Sequence, residues 1–188
     1  MHNPSGDIGL FSASHLTAAA DSIVAPDEKR TCMSSILDQL ESPTLRRFFE
    51  YYQAKAGTRS FPARRDLDPV DFSYALGDIT LIDVTYNPLR FSFRLDGSRH
   101  VERFGFDLTG RSLDDFPYPE MRQAIYESYR DVVERRQPRR DFRDLESSGR
   151  WFRYETIILP LSNDGAEINM LISAISFHDL KIPIRPAS

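Results

Sequence analysis

One cysteine, Cys32, is the whole thiol content of this chain of 188 residues. A single thiol excludes an intramolecular disulfide and a cysteine-rich zinc site, and nothing asks for an oxidising compartment. Lysine is nearly as scarce. Lys29, Lys55 and Lys181 are the only three, so 21 of the 24 basic residues are arginines (24 minus 3). Long hydrophobic runs are missing too: the longest, Ile157 to Leu161, spans five residues and includes Pro160, against the roughly 20 that a membrane-spanning helix needs. The first residues carry neither a basic start nor a long apolar stretch, which argues against a secretory signal and makes the cytoplasm the expected location, with no membrane partner. Positive charge is not in excess. With 28 acidic against 24 basic residues and a net charge of -4, the chain lacks the overall basic footprint of a nucleic-acid binder.

What is present is globular material, 40% hydrophobic and 28% charged, enough for one domain with a real core. Residues 1–33 are Ser-, Ala- and Asp-rich without a sustained period, and are expected to form a disordered arm. Residues 34–60 read as an N-terminal helical extension. Ser35 can cap a short helix carrying Ile36, Leu37 and Leu40, and Ser42-Pro43 is a second helix start, a capping oxygen followed by a residue that needs no hydrogen bond at the first position. Leu45, Phe48, Phe49 and Tyr52 then form one apolar stripe, with Gly57 placed to end the helix. Phe61 to Pro69 is an extended connector bracketed by prolines.

From Asp78 the period becomes that of strands. Ile79 to Val84 is mostly apolar, Tyr86-Asn87-Pro88 turns, and Phe91, Phe93 and Leu95 alternate with polar residues. A short helical piece around His100 to Phe104 precedes a second long helix opened by Pro119, with Met121, Ile125, Tyr129 and Val132 on one face. Arg139 to Leu145 is a charged edge strand turned at Ser148-Gly149. Trp151 to Leu161 and Ile168 to Phe177 are paired by the Asn163-Asp164-Gly165 hairpin, and 181–188 is a tail. Five strands split two and three around a helix, with hairpin turns, exclude a doubly wound parallel sheet. The expected class is α+β: a five-stranded antiparallel sheet with helices packed on one face, plus the N-terminal helix.

That element order, together with F-P-A-R-R-D-L-D-P at 61–69, L-I-D-V at 81–84, F-S-F-R-L-D-G at 91–97, G-F-D-L-T-G-R at 105–111 and L-P-L-S-N-D-G at 159–165, resembles the stand-alone bacterial PAS-like domains. Within those stretches Pro62, Arg64, Asp68, Pro69, Gly97, Gly105, Asp107, Gly110, Pro160 and Gly165 are expected to serve structure. The match departs at Tyr52, where such proteins often carry Trp, and at Asp96, where an apolar residue is common. The resemblance implies a PAS-like domain over 61–180 and a sensory or regulatory module of signal transduction. Because the chain runs only about eleven residues beyond the last strand, any output is expected through another signalling protein in trans.

No cofactor is expected, and the identity of any small ligand is left open. Haem would need an axial ligand; of His2, His15, His100 and His178 only His100 lies near the helical layer, and Arg99, Glu102 and Arg103 around it point to an exposed, solvated imidazole. Cys32 precedes the domain and cannot serve flavin-thiol chemistry. No metal-ligand spacing is present. Asp66, Asp68, Asp71 and Asp107 read as caps and turns. Phe93, Leu95, Phe104, Met121, Ile125 and Met170 are the candidate lining of a cavity between sheet and helices. Phe48, Phe49 and Tyr52 are the candidates for helix docking or for a homodimer contact. Two alternatives stay beside the regulatory, non-enzymatic reading: a cup-shaped isomerase or dehydratase using a buried Asp, and a nucleic-acid contact by the eight arginines between Arg130 and Arg153, which face five acids there for a net of +3 (8 minus 5).

Overall fold

The computed structural model describes residues 35–147 and 150–178. The expected arm 1–33, the Ser148-Gly149 turn and the tail 181–188 lie outside the described residues.

Helix α1, Pro43–Ala56, begins where the sequence places it: Ser42 Oγ accepts from Leu45 N at 3.4 Å, Pro43 fills the first turn, and Gly57 ends the helix at φ 58 with its N–H on Gln53 O. Strands β1 (Ile79–Thr85) and β2 (Arg90–Leu95) form a hairpin, followed by the short helix α2 (Ser98–Phe104) and the long helix α3 (Pro119–Arg135). Strands β3 (Arg139–Ser147), β4 (Arg150–Leu161) and β5 (Met170–His178) complete a five-stranded sheet in the order β2-β1-β5-β4-β3. Every neighbour pair is antiparallel, and β5 closes on β1 to join the hairpin to the meander. The charged strand β3 is an edge, as its composition demands. Among the described residues no helix is long and apolar enough to cross a membrane.

Alternation along the strands divides the core in two. Ile79, Leu81, Ile157, Leu159, Leu161, Met170, Ile172 and Ala174 pack with α1 on one face. Ile82, Val84, Phe91, Phe93, Ile158 and Leu171 pack with Tyr129, Val132 and Val133 of α3 on the other. The expected helical layer on one face is therefore present, and α1 covers the opposite face. Leu45, Phe48, Phe49 and Tyr52 have no exposure at all, each burial contributing about 1.5–3 kcal/mol. The helix of the expected N-terminal extension 34–60 shares the sheet's core. Phe48, Phe49 and Tyr52, expected to serve helix docking or a homodimer contact, dock the helix, since the same apolar stripe cannot face the sheet and a partner.

Two polar ties fix α1. Tyr52 Oη donates to Pro160 O at 2.7 Å, which gives Pro160 its structural part. The carboxylate of Glu155, itself fully buried, accepts from Ser42 N at 2.8 Å, Glu41 N at 3.1 Å and Arg140 Nε at 2.6 Å. A negative group there meets the free N–H groups at the helix start.

The remaining expected structural residues also have identifiable work. Pro62 O accepts from Ser162 N at 3.1 Å, and Gly110 N donates to Phe93 O at 2.7 Å. Arg64 Nη1 donates to Leu67 O, Asp68 accepts from Val70 N ahead of the turn at Pro69, and Asp107 accepts from Thr109 N. Asp66 caps Ala63 N at 2.7 Å. Gly105 and Gly165 sit at φ 79 and φ 80, where a side chain would be strained. Gly97 is required for a different reason: a Cβ there would lie 2.3 Å from Gly77 O and 2.8 Å from Ile79 O. The start of α2 is thereby pressed directly against the backbone that leads into β1.

Candidate functional site

Between the α3 face of the sheet, α2, α3 and the 105–118 connection lies a cavity of about 90 Å³. Phe93, Phe104, Met121 and Ile125, four of the six residues expected to line it, do so. Leu95 and Met170 do not. Leu95 is 41% exposed because the β1–β2 register slips between Leu81 and Ile82, so Leu95 pairs with Leu81 and leaves the face that Phe93 shares with Ile82. Met170 belongs to the opposite parity of β5 and packs under α1, while Ser173 and Ile175 reach the cavity.

The polar part of the wall has two centres. At the first, Asp96 Oδ1 lies 3.1 Å from His100 Nδ1 and 3.2 Å from Thr80 Oγ1. A carboxylate only accepts, so Nδ1 carries a proton. The expectation of a solvated imidazole is corrected here: the His100 side chain is 15% exposed, that of Asp96 5%. The reason is helical geometry. With α2 starting at Ser98, His100 turns inward toward Phe104, whose ring it meets edge-on at 6.0 Å, and the exposed face carries Arg99 and Glu102. Asp96, noted only as a departure, is the group that holds His100, and the Asp-x-x-x-His spacing across a helix start was the signal for it. Among the described residues, nothing hydrogen-bonds to His100 Nε2 or to Thr156 Oγ1, two buried atoms of lining residues.

At the second centre Ser128 Oγ lies 2.7 Å from Asp141 Oδ2 and accepts from Arg143 Nη2 at 2.6 Å. Arg143 Nη2 also reaches Ala124 O at 3.2 Å, and Arg139 Nε binds Asp141 Oδ1 at 2.8 Å. Next to them stand Tyr129 and Tyr154, each 7% exposed. Burial pushes both phenols well up, against a smaller downward pull from Arg143. Neither strand β3 nor the tyrosines entered the sequence-derived lining, because β3 reads as a solvated edge and its inward residues, Asp141 and Arg143, are charged.

A family model described as the PAS domain matches residues 40–175. The chain belongs to the PAS domain family. Among solved structures it is similar to the PAS domain from Bordetella pertussis BvgS, at 19% identity with a TM-score of 0.44, over 58% of this chain and 85% of that one. It is also similar to a light-oxygen-voltage domain, at 14% identity and a TM-score of 0.44, over 57% of this chain and 82% of that one. No curated protein matches. The PAS fold is that of sensory and signalling modules in general.

Within this PAS domain the arginine-rich stretch is largely occupied internally. Arg130 pairs with Glu127, Arg135 and Arg139 with Asp131, Arg140 with Glu155, and Arg153 with Asp144. Arg136 donates to Ala166 O and Gly165 O. The carboxyl that burial pushes up, Asp78, meets Arg99 Nη1 at 2.5 Å and lies outside the cavity wall.

Proposed function

We propose that this PAS domain is a regulatory sensor that takes a small ligand into the cavity between sheet and helices and passes the change to another signalling protein. The observation that carries the reading is the cavity itself: an aromatic and aliphatic chamber whose wall holds polar groups with unused hydrogen-bonding capacity. Buried polar groups are as a rule paired, and a binding pocket is where they are left for a ligand. An occupant would touch Phe104 on α2 and Met121 and Ile125 on α3, so its binding energy can favour one packing of these helices on the sheet over another.

Transmission is assigned to protein contact in a bacterial cytoplasm. A signalling partner or a second copy would meet surface other than Phe48, Phe49 and Tyr52. No enzymatic step is part of this reading. Native mass spectrometry of freshly purified protein, with an absorbance scan and light scattering, tests it. A retained small molecule, or a change of helix packing when one is added, is the expected result. A protein that carries nothing and whose cavity-lining resonances respond to no small molecule would overturn the sensor reading, and a strictly monomeric mass would remove the homodimer.

A further inference from the structure

The wall of the cavity is divided by chemistry. Phe104, Phe106, Phe116, Met121 and Ile125 make the helical side apolar. The sheet side carries short hydroxyl side chains: Thr80 of β1 stands opposite Ser173 of β5, and Thr156 of β4 lies between Ile175 of β5 and Asp141 of β3. Further along the same face Ile82 stands opposite Leu171, and there the core is closed. Beside the shorter Thr80 and Ser173 a space remains. His100 of α2 and Ser128 of α3 add polar groups from the helices, and Tyr129 and Tyr154 stand with Arg143.

Several of these groups are already bonded. Thr80 Oγ1 lies 3.2 Å from Asp96 Oδ1, and Ser128 Oγ 2.7 Å from Asp141 Oδ2. His100 Nε2 and Thr156 Oγ1 are buried and have no partner among the described residues. Since His100 Nδ1 donates to Asp96, the neutral ring leaves Nε2 as an acceptor that calls for a donor, while the Thr156 hydroxyl donates or accepts. An anion would be placed beside the Asp96 and Asp141 carboxylates, and a cation beside Arg143, which Asp141 already balances at 3.1 Å. The fit is to a neutral molecule. A dry cavity of roughly 150 Å³ takes benzene, so about 90 Å³ at the same ratio takes about three or four non-hydrogen atoms and no six-membered ring.

The two unpartnered atoms also set a span. His100 Nδ1 lies 3.1 Å from Thr80 Oγ1 of β1, and β5 separates β1 from β4, which carries Thr156. Two strand spacings are roughly 10 Å, and a hydrogen bond of about 2.8 Å at each end leaves roughly 4 Å between the ligand's polar atoms, the reach of oxygens on adjacent carbons.

We propose that the cavity binds a short, uncharged aliphatic compound with oxygens on adjacent carbons: a hydroxyl at one end donates to His100 Nε2, and the oxygen at the other accepts from Thr156 Oγ1. This rests on the sensor reading and specifies its ligand class. Such a molecule ties α2, through His100, to the sheet, and so favours one placement of that helix.

The test uses the full chain with labelled methionine methyl groups. Met121 lines the cavity, and Met170, on the opposite face of the sheet, is the internal control. Ethane-1,2-diol, 1-propanol, glycolate and cyclohexane-1,2-diol are titrated in turn. The diol and 1-propanol have equal numbers of non-hydrogen atoms and differ only in whether the second end is polar. Ethane-1,2-diol is expected to shift Met121 saturably and leave Met170 in place, with 1-propanol and glycolate weaker by about fivefold or more and cyclohexane-1,2-diol without effect. Thr156→Val, which keeps the branched shape, is expected to weaken the diol by about fivefold and leave 1-propanol within about twofold. Tyr154→Phe is expected to leave both unchanged. 1-Propanol binding as tightly as the diol, with Thr156→Val neutral, overturns the two-ended assignment. A loss of diol binding in Tyr154→Phe but not in Thr156→Val overturns the choice of Thr156. Glycolate binding tightest overturns the neutral ligand, and the cyclic diol binding tightest overturns the size limit. No response of Met121 to any of the four overturns the ligand class; the sensor reading falls with it only if the freshly purified protein also carries no small molecule in native mass spectrometry.

Discussion

The two faces of one sheet are built from the same strands and behave as different materials. Under α1, Leu45, Phe48, Phe49 and Tyr52 meet Ile157, Leu159 and Leu161 with no exposed surface. The polar groups there are tied: Tyr52 to Pro160, and Glu155 to the helix start and Arg140. Under α2 and α3 the packing stops short of closure, and a cavity remains in whose wall Thr156 Oγ1 and His100 Nε2 lack partners among the described residues. Stability and responsiveness thus alternate along each strand with a period of two residues. A fold can hold one face rigid while the other remains free to accept something new.

Substitutions on the two faces should therefore cost different amounts. Phe49→Ala empties a fully buried site under α1 and is expected to lower unfolding free energy by about 3–5 kcal/mol. Phe104→Ala, at the half-buried cavity wall, is expected to cost about 1–2 kcal/mol. Urea unfolding of both checks the order, and equal losses would erase the contrast. Glu155→Ala leaves the half-buried Arg140 without its nearest carboxylate and two N–H groups open, with an expected cost of about 3 kcal/mol.

Hydroxyl deletion sharpens the comparison further. Tyr52→Phe removes a buried bond of 2.7 Å and strands the Pro160 carbonyl, an expected loss of about 1–2 kcal/mol. Tyr154→Phe removes a hydroxyl without a protein partner and is expected to change stability by less than about 0.5 kcal/mol. Denaturant midpoints of the two variants, side by side, make the check. A large loss at Tyr154 would mean that its hydroxyl is a structural group after all.

The smallest difference concerns alkaline pH. Tyr52 on one face and Tyr129 and Tyr154 on the other all hold their protons above the usual range because burial disfavours the phenolate. The unfolded chain releases them near pH 10, at about the ordinary tyrosine value. Stability contributed by these groups is thus complete below about pH 10 and declines as pH rises beyond it. Phenolate absorbance should rise for them together with unfolding, not before. In Tyr154→Phe or Tyr129→Phe the decline should be shallower.

Much of this was legible in the residues. Ser42-Pro43 and Gly57 mark the ends of α1, Asn163-Asp164-Gly165 marks a hairpin, and the motif order marks the family, because caps, turns and periods are local chemistry. What escaped was set by relations between elements. Leu95 leaves the cavity through a register slip that no strand pattern contains, and Met170 turned on the phase of β5 against its neighbours. His100 looked solvated among arginines until the start of α2 fixed which way it faces. Tyr129 was visible as an apolar position on a helix, but its unpaired hydroxyl becomes evident only when Tyr154 and Arg143 are brought beside it.

The contact at Gly97 acts as a mechanical stop. Since the chain there leaves no room for even one methyl group against Gly77 O, any side chain at this position would work as a wedge, levering α2 away from the root of β1. His100 and Phe104 ride on that helix, so Gly97→Ala would widen the chamber from outside it. Such a variant would mimic an opened sensor without touching the wall, and it offers a way to set the output by hand.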